Sequence, residues 1–516
     1  MTEARAPECA PSRRVVKRVQ TLPRWPAWLP LASILVLAAA LRLYQLGAEN
    51  LWIDEVFSIH QALDPVMEIR GYWDFESQAT SRPLSLILLY WVLQLGESEF
   101  LMRLPYAILS VLDVAAVYLL SRELVERHVA LRASLFLALL PIHVFYAQEV
   151  RWYAQWALLA TVSFLALVRL WKTGRPAWWV AYAVTAIICL YTYVVSLQLL
   201  AMQALSAWLL PSRGSRWSFR WKAGAALALA ALAALPVFYA ALSLRAETSS
   251  GMVGTPRETS PVALPYLFFT YVAGYTIGPT VGELHALPSP ARILTVYPEI
   301  VLYYVVFMPI AALGLWSLRR RSTCAAILAP WVAGMPLLVF ASAIVGGQTF
   351  NVRYTFAAVP GFALLLSLGV ESLGRWKRVG TVAAAGLFAL SLVNYYTDPR
   401  YDKEDVRGAL RVVRSSPFRE LPVAVVGQGT SAAAYYGTGL DLRRLLGCGR
   451  QGEARDRSPL RDMRIEELRT EPAVWIMVSR DWQDRAERCS EKLSDSHRVV
   501  RRQGLTGVNL YRLERR

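Results

Sequence analysis

Four small groups of polar residues interrupt long apolar stretches of this chain, and each is of a type that could do chemistry. The first is the adjacent pair Asp54–Glu55, in Leu51–Trp52–Ile53–Asp54–Glu55. Two carboxylates just beyond a hydrophobic run are candidates for catalysis. They equally suit a short helix from Asp54 to Ala62, with Asp54 capping its N-terminus and negative charge at the positive end of its dipole. The second group is Arg82–Pro83, ahead of the apolar stretch Leu84–Trp91, which is too short for a span and reads as an interfacial helix. A guanidinium there would bind a lipid phosphate, specific or not. The third is Gln148–Glu149–Val150–Arg151–Trp152–Tyr153, where ionisable residues squeezed between apolar runs are either functional or a neutralised Glu149–Arg151 pair beside interfacial aromatics. The fourth is Asn351–Val352–Arg353–Tyr354, one arginine opening an apolar run, which either snorkels to headgroups or binds a ligand.

Composition says what kind of scaffold must position these groups. The chain has 516 residues, 55% hydrophobic content and a mean hydropathy of +0.33, above the roughly 45–50% apolar usage of soluble domains. Charge-free runs near the ~20 residues needed to cross a bilayer recur from Leu31 to Tyr396. About eleven spans are predicted: Leu31–Gly47, Met102–Leu120, Ala130–Tyr146, Tyr153–Leu170, Ala177–Tyr193, Val195–Leu210, Ala223–Leu242, Ile300–Leu318, Cys324–Ile344, Thr355–Leu373 and Gly380–Tyr396. The expected organisation is a basic N-terminus at 1–30, a helical membrane domain at 31–396 with outer loops 48–101 and 243–299, and a charged region at 397–516.

The net charge of +17 sits, in the membrane zone, mainly in short clusters between spans. Arg122/Arg127, Lys172/Arg175, Arg213 to Lys222, Arg319–Arg321 and Arg375 to Arg378 all fall on the side of the basic N-terminus, which the positive-inside rule makes cytoplasmic. No basic stretch interleaved with aromatics offers a surface for nucleic acid. Opposite connections hold few basic residues, so Arg70, Arg82, Arg151, Arg245, Arg257, Arg292 and Arg353 each invite a specific explanation. The first span could also be a signal peptide; either way the loop carrying Asp54 lies outside.

Residues 397–516 predict a small α/β domain on the outer face. It has an amphipathic helix at Val406–Val413 and strands at Pro422–Val426, Ala473–Val478 and Val508–Leu513. Acceptor selection and scaffold support are both open to it. Cys448 and Cys489, the cysteines of this outer region, could form a disulfide. The Pro- and Gly-rich loop 243–299, with Glu283, His285 and Arg292, suits either a mobile cover or an ordered loop over the helix ends. None of the five histidines has metal-ligand spacing with another His or Cys.

Taken in order, these residues resemble the GT-C glycosyltransferases, in the branch with protein O-mannosyltransferases and lipid A aminoarabinose transferases. The resemblance runs through Asp54–Glu55, Arg82–Pro83, Arg103–Leu104–Pro105, Tyr146 to Tyr153, Tyr191–Thr192–Tyr193 and Asn351–Val352–Arg353–Tyr354 with Pro360. Two departures stand out. Arg82 occupies a place where many relatives have His or Lys, and Tyr193 one where many have His.

The resemblance implies a bacterial inner-membrane enzyme, multi-pass, with its active site on the outer face. It would move a hexose or pentose from a polyprenyl-phosphate donor to a hydroxyl of an extracytoplasmic glycan, lipid or protein, with inversion. A phosphate leaving group needs no protonation, so one base and positive charge suffice. Asp54 is then the candidate base, and Glu55 its orienting neighbour or an acceptor ligand. Arg82, Arg151 and Arg353 would hold the phosphate, Glu149 would position Arg151, and Tyr153, Tyr193 and Tyr354 would line the site. The resemblance fixes no cofactor, and a divalent metal at Asp54 stays open. The competing function is a transporter or flippase of lipid-linked sugars. That would call for mid-membrane ionisable residues and repeated halves, whereas the acids here cluster in outer loops and no repeat is visible.

Overall fold

The computed structural model describes residues 26–63, 82–211, 216–239, 259–280, 283, 290–347, 350–427, 429–446, 460–479 and 485–516. The expectations for the first 25 residues, Arg70, His285, Cys448 and the stretches 64–81 and 243–258 of the outer loops lie outside the described residues.

Every expected span overlies a helix. Among the described residues six helical runs are long and apolar enough to cross a membrane: Glu99–Leu124, Tyr153–Thr173, Glu299–Arg320, Ser322–Val345, Val352–Ser372 and Gly374–Thr397. A seventh is added if the bent pair Arg127–Leu139 and Pro141–Ala147 counts as one span. Leu29–Leu43, Pro176–Thr192 and Ser196–Leu209 are apolar but shorter. The chain is a multi-pass, mainly helical membrane protein with a small C-terminal α/β region.

Two local features follow directly from sequence. Pro141 lacks an N–H and clashes with the preceding turn, so the helix breaks after Leu139 and resumes at 57°. Gly314 and Gly369 lie where helices Glu299–Ser317 and Val359–Ser372 press together. A Cβ on Gly369 would stand 1.8 Å from the Ile310 carbonyl oxygen, so only glycine permits this approach.

The loop expected at 243–299 contains more order than anticipated. Ala263–Ala273 is an apolar helix, and the Tyr271 hydroxyl donates 2.7 Å to the Thr355 carbonyl. Tyr275 and Tyr146 share a hydroxyl contact of 2.9 Å. Of the two readings of that loop, its described residues fit the packed one.

The C-terminal region builds a six-stranded sheet of order β3-β2-β1-β4-β6-β5. Its strands are β1 Val423–Gly427, β2 Leu442–Leu446, β3 Arg461–Arg464, β4 Ala473–Ser479, β5 His497–Leu505 and β6 Val508–Arg515. The first four strands are parallel and the last two antiparallel. Buried apolar runs Val423–Val426 and Val474–Val478 fit central strands covered on both faces. Cys489 is buried and disulfide-bonded. One apolar cluster joins this domain to the expected outer loops and to the helix Glu99–Leu124. Val406, Leu410, Val423, Trp475 and Leu510 pack with Leu51, Val56, Leu86, Tyr106 and Val150.

Candidate active site

Trp52 leaves extended backbone and helix Ile53–Ala62 begins, which puts Asp54 and Glu55 in its first turn. Successive helical residues point about 100° apart, so the two carboxylates face different surroundings.

Glu55 faces inward and is wholly buried. Arg103 meets it as a fork, with Nε to Oε1 and Nη2 to Oε2 both at 3.0 Å. Lys403 Nζ reaches Oε2 at 3.0 Å, and the Val150 N–H donates to Oε1 at 2.9 Å. The Trp52 N–H closes the turn with a 3.2 Å bond to Oε2. Burial alone would raise this acid, but Arg103 and then Lys403 outweigh it and hold the carboxyl down at about 2. Arg103 also takes the carbonyls of Leu46, Glu49 and Asn50, at 3.1, 2.9 and 2.8 Å. The approach to the helix is thereby tied to the span Glu99–Leu124.

Asp54 faces the other way and is 26% exposed. Arg353 Nη1 lies 2.5 Å from its Oδ2 and Arg151 Nη2 3.7 Å. Arg151 Nη1 donates to the Asp54 carbonyl and the Ser58 hydroxyl, both at 3.0 Å. Arg353 is delivered by the turn Val352–Ala358, whose cap is Asn351 accepting from the Arg353 N–H at 3.1 Å.

Arg82 caps helix Pro83–Leu93, where Pro83 suits the first position because the N–H it lacks would go unused. Its Nη2 donates 2.5 Å to Gln61, and its guanidinium lies 4.2 Å from the Trp152 ring centre. Arg151 stacks on the same indole at 3.9 Å. Burial, and then the neighbouring Arg151 charge, push Arg82 down to about 9. Tyr193 packs against Trp152 and Trp156, at 5.2 and 5.0 Å between ring centres. Tyr354 follows at 6.4 Å from Tyr193, and Tyr153 lies 5.9 Å from the Arg151 guanidinium.

The structure thus brings Asp54, Arg82, Arg151, Arg353, Tyr153, Tyr193 and Tyr354 into one cluster and places Glu55 behind it. The expected Glu149–Arg151 ion pair is not formed, because Arg151 is spent on Asp54 and Ser58. Glu149 is instead buried with neither carboxyl oxygen hydrogen-bonded among the described residues. Its burial, only partly offset by Lys403, pushes it up to about 8.

Three guanidinium groups beside one carboxylate make the cluster cationic, so it suits an anion. The fit to a divalent metal is poor. The neighbours of Asp54 are cations, and among the described residues no three His, Cys, Asp or Glu side chains gather as ligands.

Three features escaped the sequence reading. Arg103 stood out only as part of a motif, though a charge inside a 26-residue apolar helix is a signal that it has a buried partner. Lys403 comes from the C-terminal domain, and nothing local announced its reach. Inside the membrane domain, Arg42 joins His143 at 2.8 Å and Ser110 at 2.6 Å, while His143 meets Asp113 at 3.1 Å. These ionisable groups are wholly or almost wholly buried, and Asp113 lies within the helix Glu99–Leu124, which corrects the expectation that the acids of the membrane domain keep to the loops.

The sequence profile of the dolichyl-phosphate-mannose-protein mannosyltransferase family matches residues 81–240. Among solved structures, the chain is similar to ArnT from Cupriavidus metallidurans bound to undecaprenyl phosphate. The TM-score is 0.55 at 12% identity, over 94% of this chain and 98% of that one. The apo structure of that protein gives a TM-score of 0.53 at 12% identity, over 93% and 97%. No curated protein matches in sequence.

Proposed function

We propose that this chain, which has the GT-C fold, transfers a hexose or pentose from a polyprenyl-phosphate donor to a hydroxyl of an extracytoplasmic acceptor. The observation that carries this reading is the grouping of Arg82, Arg151 and Arg353 around the partly exposed Asp54. In this reading the grouping lies on the outer face of a bacterial inner membrane, and the basic clusters on the side of the N-terminus support that orientation.

The acceptor hydroxyl attacks the anomeric carbon, the bond from that carbon to the phosphate oxygen breaks, and the hydroxyl proton passes to Asp54. Single displacement inverts the anomeric centre. The phosphate departs on its lipid carrier with one more negative charge than it had in the donor, and guanidinium groups stabilise that gain. Arg82 and Arg151, both held against the Trp152 ring, are pre-oriented for a planar two-point contact. Tyr193 and Tyr354 supply flat apolar surface for the sugar or the first isoprene unit. The fit of ArnT to this fold, and undecaprenyl phosphate on ArnT, support a lipid-phosphate donor here.

Single-turnover transfer by Asp54→Asn, with a short-chain polyprenyl-phosphate sugar, tests the reading. The variant should bind donor and fail to transfer. Near-normal transfer would remove Asp54 from the base role.

A further inference from the structure

We propose that the C-terminal α/β domain positions Asp54, gripping the segment Asn50–Ile53 in its sheet crevice and delivering Lys403 to Glu55 as the positioning residue. The inference rests on the reading of Asp54 as base.

The sheet order sets the argument. From β1 the chain runs outward to β2 and β3, then returns to the other side of β1 as β4. The carboxyl ends of β1 and β4 therefore flank a topological switch point, the crevice in which open α/β sheets take their ligands. Here the crevice is lined by Gly429, Ala432, Ser479, Glu404 and Val406 from the domain, and by Leu51, Trp52 and Ile53 from the first outer loop. Gly427 has φ +98°, and a Cβ there would meet the Ser479 carbonyl at 2.1 Å, so the turn leaving β1 is built for close approach. The occupant of this crevice is the chain's own segment Leu51–Ile53, which leads directly into Asp54.

Polar contacts lock the same segment. Asn50 Nδ2 donates 2.7 Å to the Glu404 carbonyl, and the Leu51 N–H donates 2.8 Å to the Tyr436 hydroxyl. Tyr436 and Arg407 both reach Glu99 Oε1, at 3.0 and 2.7 Å. Between these anchors Lys403, 8% exposed, enters the membrane domain and ends on Glu55, with Glu49 at 4.0 Å. Glu55 accepts one bond from its own helix start, two from the long span, one from the Val150 N–H and one from the C-terminal domain. Its immediate neighbour is Asp54, and Val150 on its other side is followed by Arg151. A shift of Lys403 moves the carboxylate that fixes the helix turn carrying the base.

Removing the Lys403 charge leaves Glu55 buried with one cation fewer, so the helix start relaxes while the arginine cluster stays. The lesion then falls on transfer and spares donor affinity. The test compares Lys403→Met, Lys403→Arg, Asn50→Ala and Asp54→Asn in the full chain, by donor binding and single-turnover transfer. Lys403→Met should slow transfer about tenfold with donor binding within about twofold, and Lys403→Arg should recover most of the loss. Asn50→Ala, which cuts the grip without touching the charge, should slow transfer about threefold. Wild-type transfer in Lys403→Met overturns the proposal, as does a loss confined to donor binding. If Lys403→Met does not fold, wild-type transfer in both Lys403→Arg and Asn50→Ala overturns it instead. An active Asp54→Asn defeats the underlying reading of the base, a different outcome from an inactive Asp54→Asn beside a fully active Lys403→Met.

Discussion

Arg353 Nη1 stands 2.5 Å from Asp54 Oδ2 although 299 residues separate them in the chain. The candidate base and one candidate phosphate ligand are thus each other's partner. In the proposed reaction a donor phosphate would compete for that guanidinium and leave the Asp54 oxygen to accept a proton.

Arg353→Ala should therefore lose more in transfer than in binding. Removing one preorganised donor to a developing charge typically costs about a hundredfold or more in the chemical step. Arg353→Lys should restore part of the rate, since the charge returns without the planar fork. Single-turnover kinetics beside donor titration separates the two effects. Wild-type rates in Arg353→Ala would reduce the residue to a snorkelling side chain.

Glu55 predicts a stability effect with a definite pH window. Arg103 and Lys403 outweigh burial and hold its folded carboxyl at about 2, below the ordinary 4.5, so its contribution is complete above the unfolded value. That contribution is lost as pH falls from there through about 2. Glu55→Gln should destabilise the protein by about 3–5 kcal/mol near neutrality, because Arg103 and Lys403 lose their buried counter-charge. Thermal unfolding in detergent at two pH values checks this. A variant that melts with the wild type at pH 7 would show that the ion pairs carry no net stability.

Much of the site was legible because topology makes outer arginines costly to explain. Of the seven arginines that stood out against the positive-inside pattern, Arg82, Arg151 and Arg353 lie in the cluster. Asp54 and Glu55 looked alike in sequence, since adjacency does not say which helix face is buried. The helix period separates them only once its packing partners are known. The pairings that decide their roles, Glu55 with Arg103 and Lys403 and Asp54 with Arg353, span 48 to 348 residues. Helical periodicity does not reach that far. Glu149 shows the opposite failure, since proximity to Arg151 suggested a pair that the turn geometry does not make.

Glu149 supplies a second pH signature, of opposite sign. Its carboxyl is pushed up to about 8 by burial, so the folded state keeps a proton that the unfolded chain gives up at lower pH. Stability should fall as pH rises from about 4.5 through about 8. Glu149→Gln mimics the protonated form and should flatten that slope while leaving the melting temperature near pH 5 unchanged. Parallel slopes for the variant and the wild type would mean that Glu149 is ionised in the fold.

The buried cluster under the second outer loop gives the last prediction. Arg42 Nε donates to Ser110, Nη1 to the Ala38 and Ala138 carbonyls, and Nη2 to the Leu137 carbonyl and His143. Leu137 and Ala138 lie in the turn before Pro141, where the break in the helix strips carbonyls of their usual donors. One planar fork therefore satisfies both the kink and the His143–Asp113 pair. The loop beyond is tied to the same helix end, because Gln148 Nε2 donates to the Arg42 and Tyr44 carbonyls, each at 2.9 Å. Lysine keeps the charge but offers three donors from one atom, which cannot reach acceptors on three helices at once. Arg42→Lys should thus leave at least one buried carbonyl unpaired in a water-poor interior, at a cost of about 1–3 kcal/mol. The kink should loosen and Arg151 should lose its register, so transfer slows as the melting temperature drops. Thermal unfolding and single-turnover transfer measured on the same sample decide it: wild-type values in both would show that charge alone, and not the five-donor fork, holds the bend.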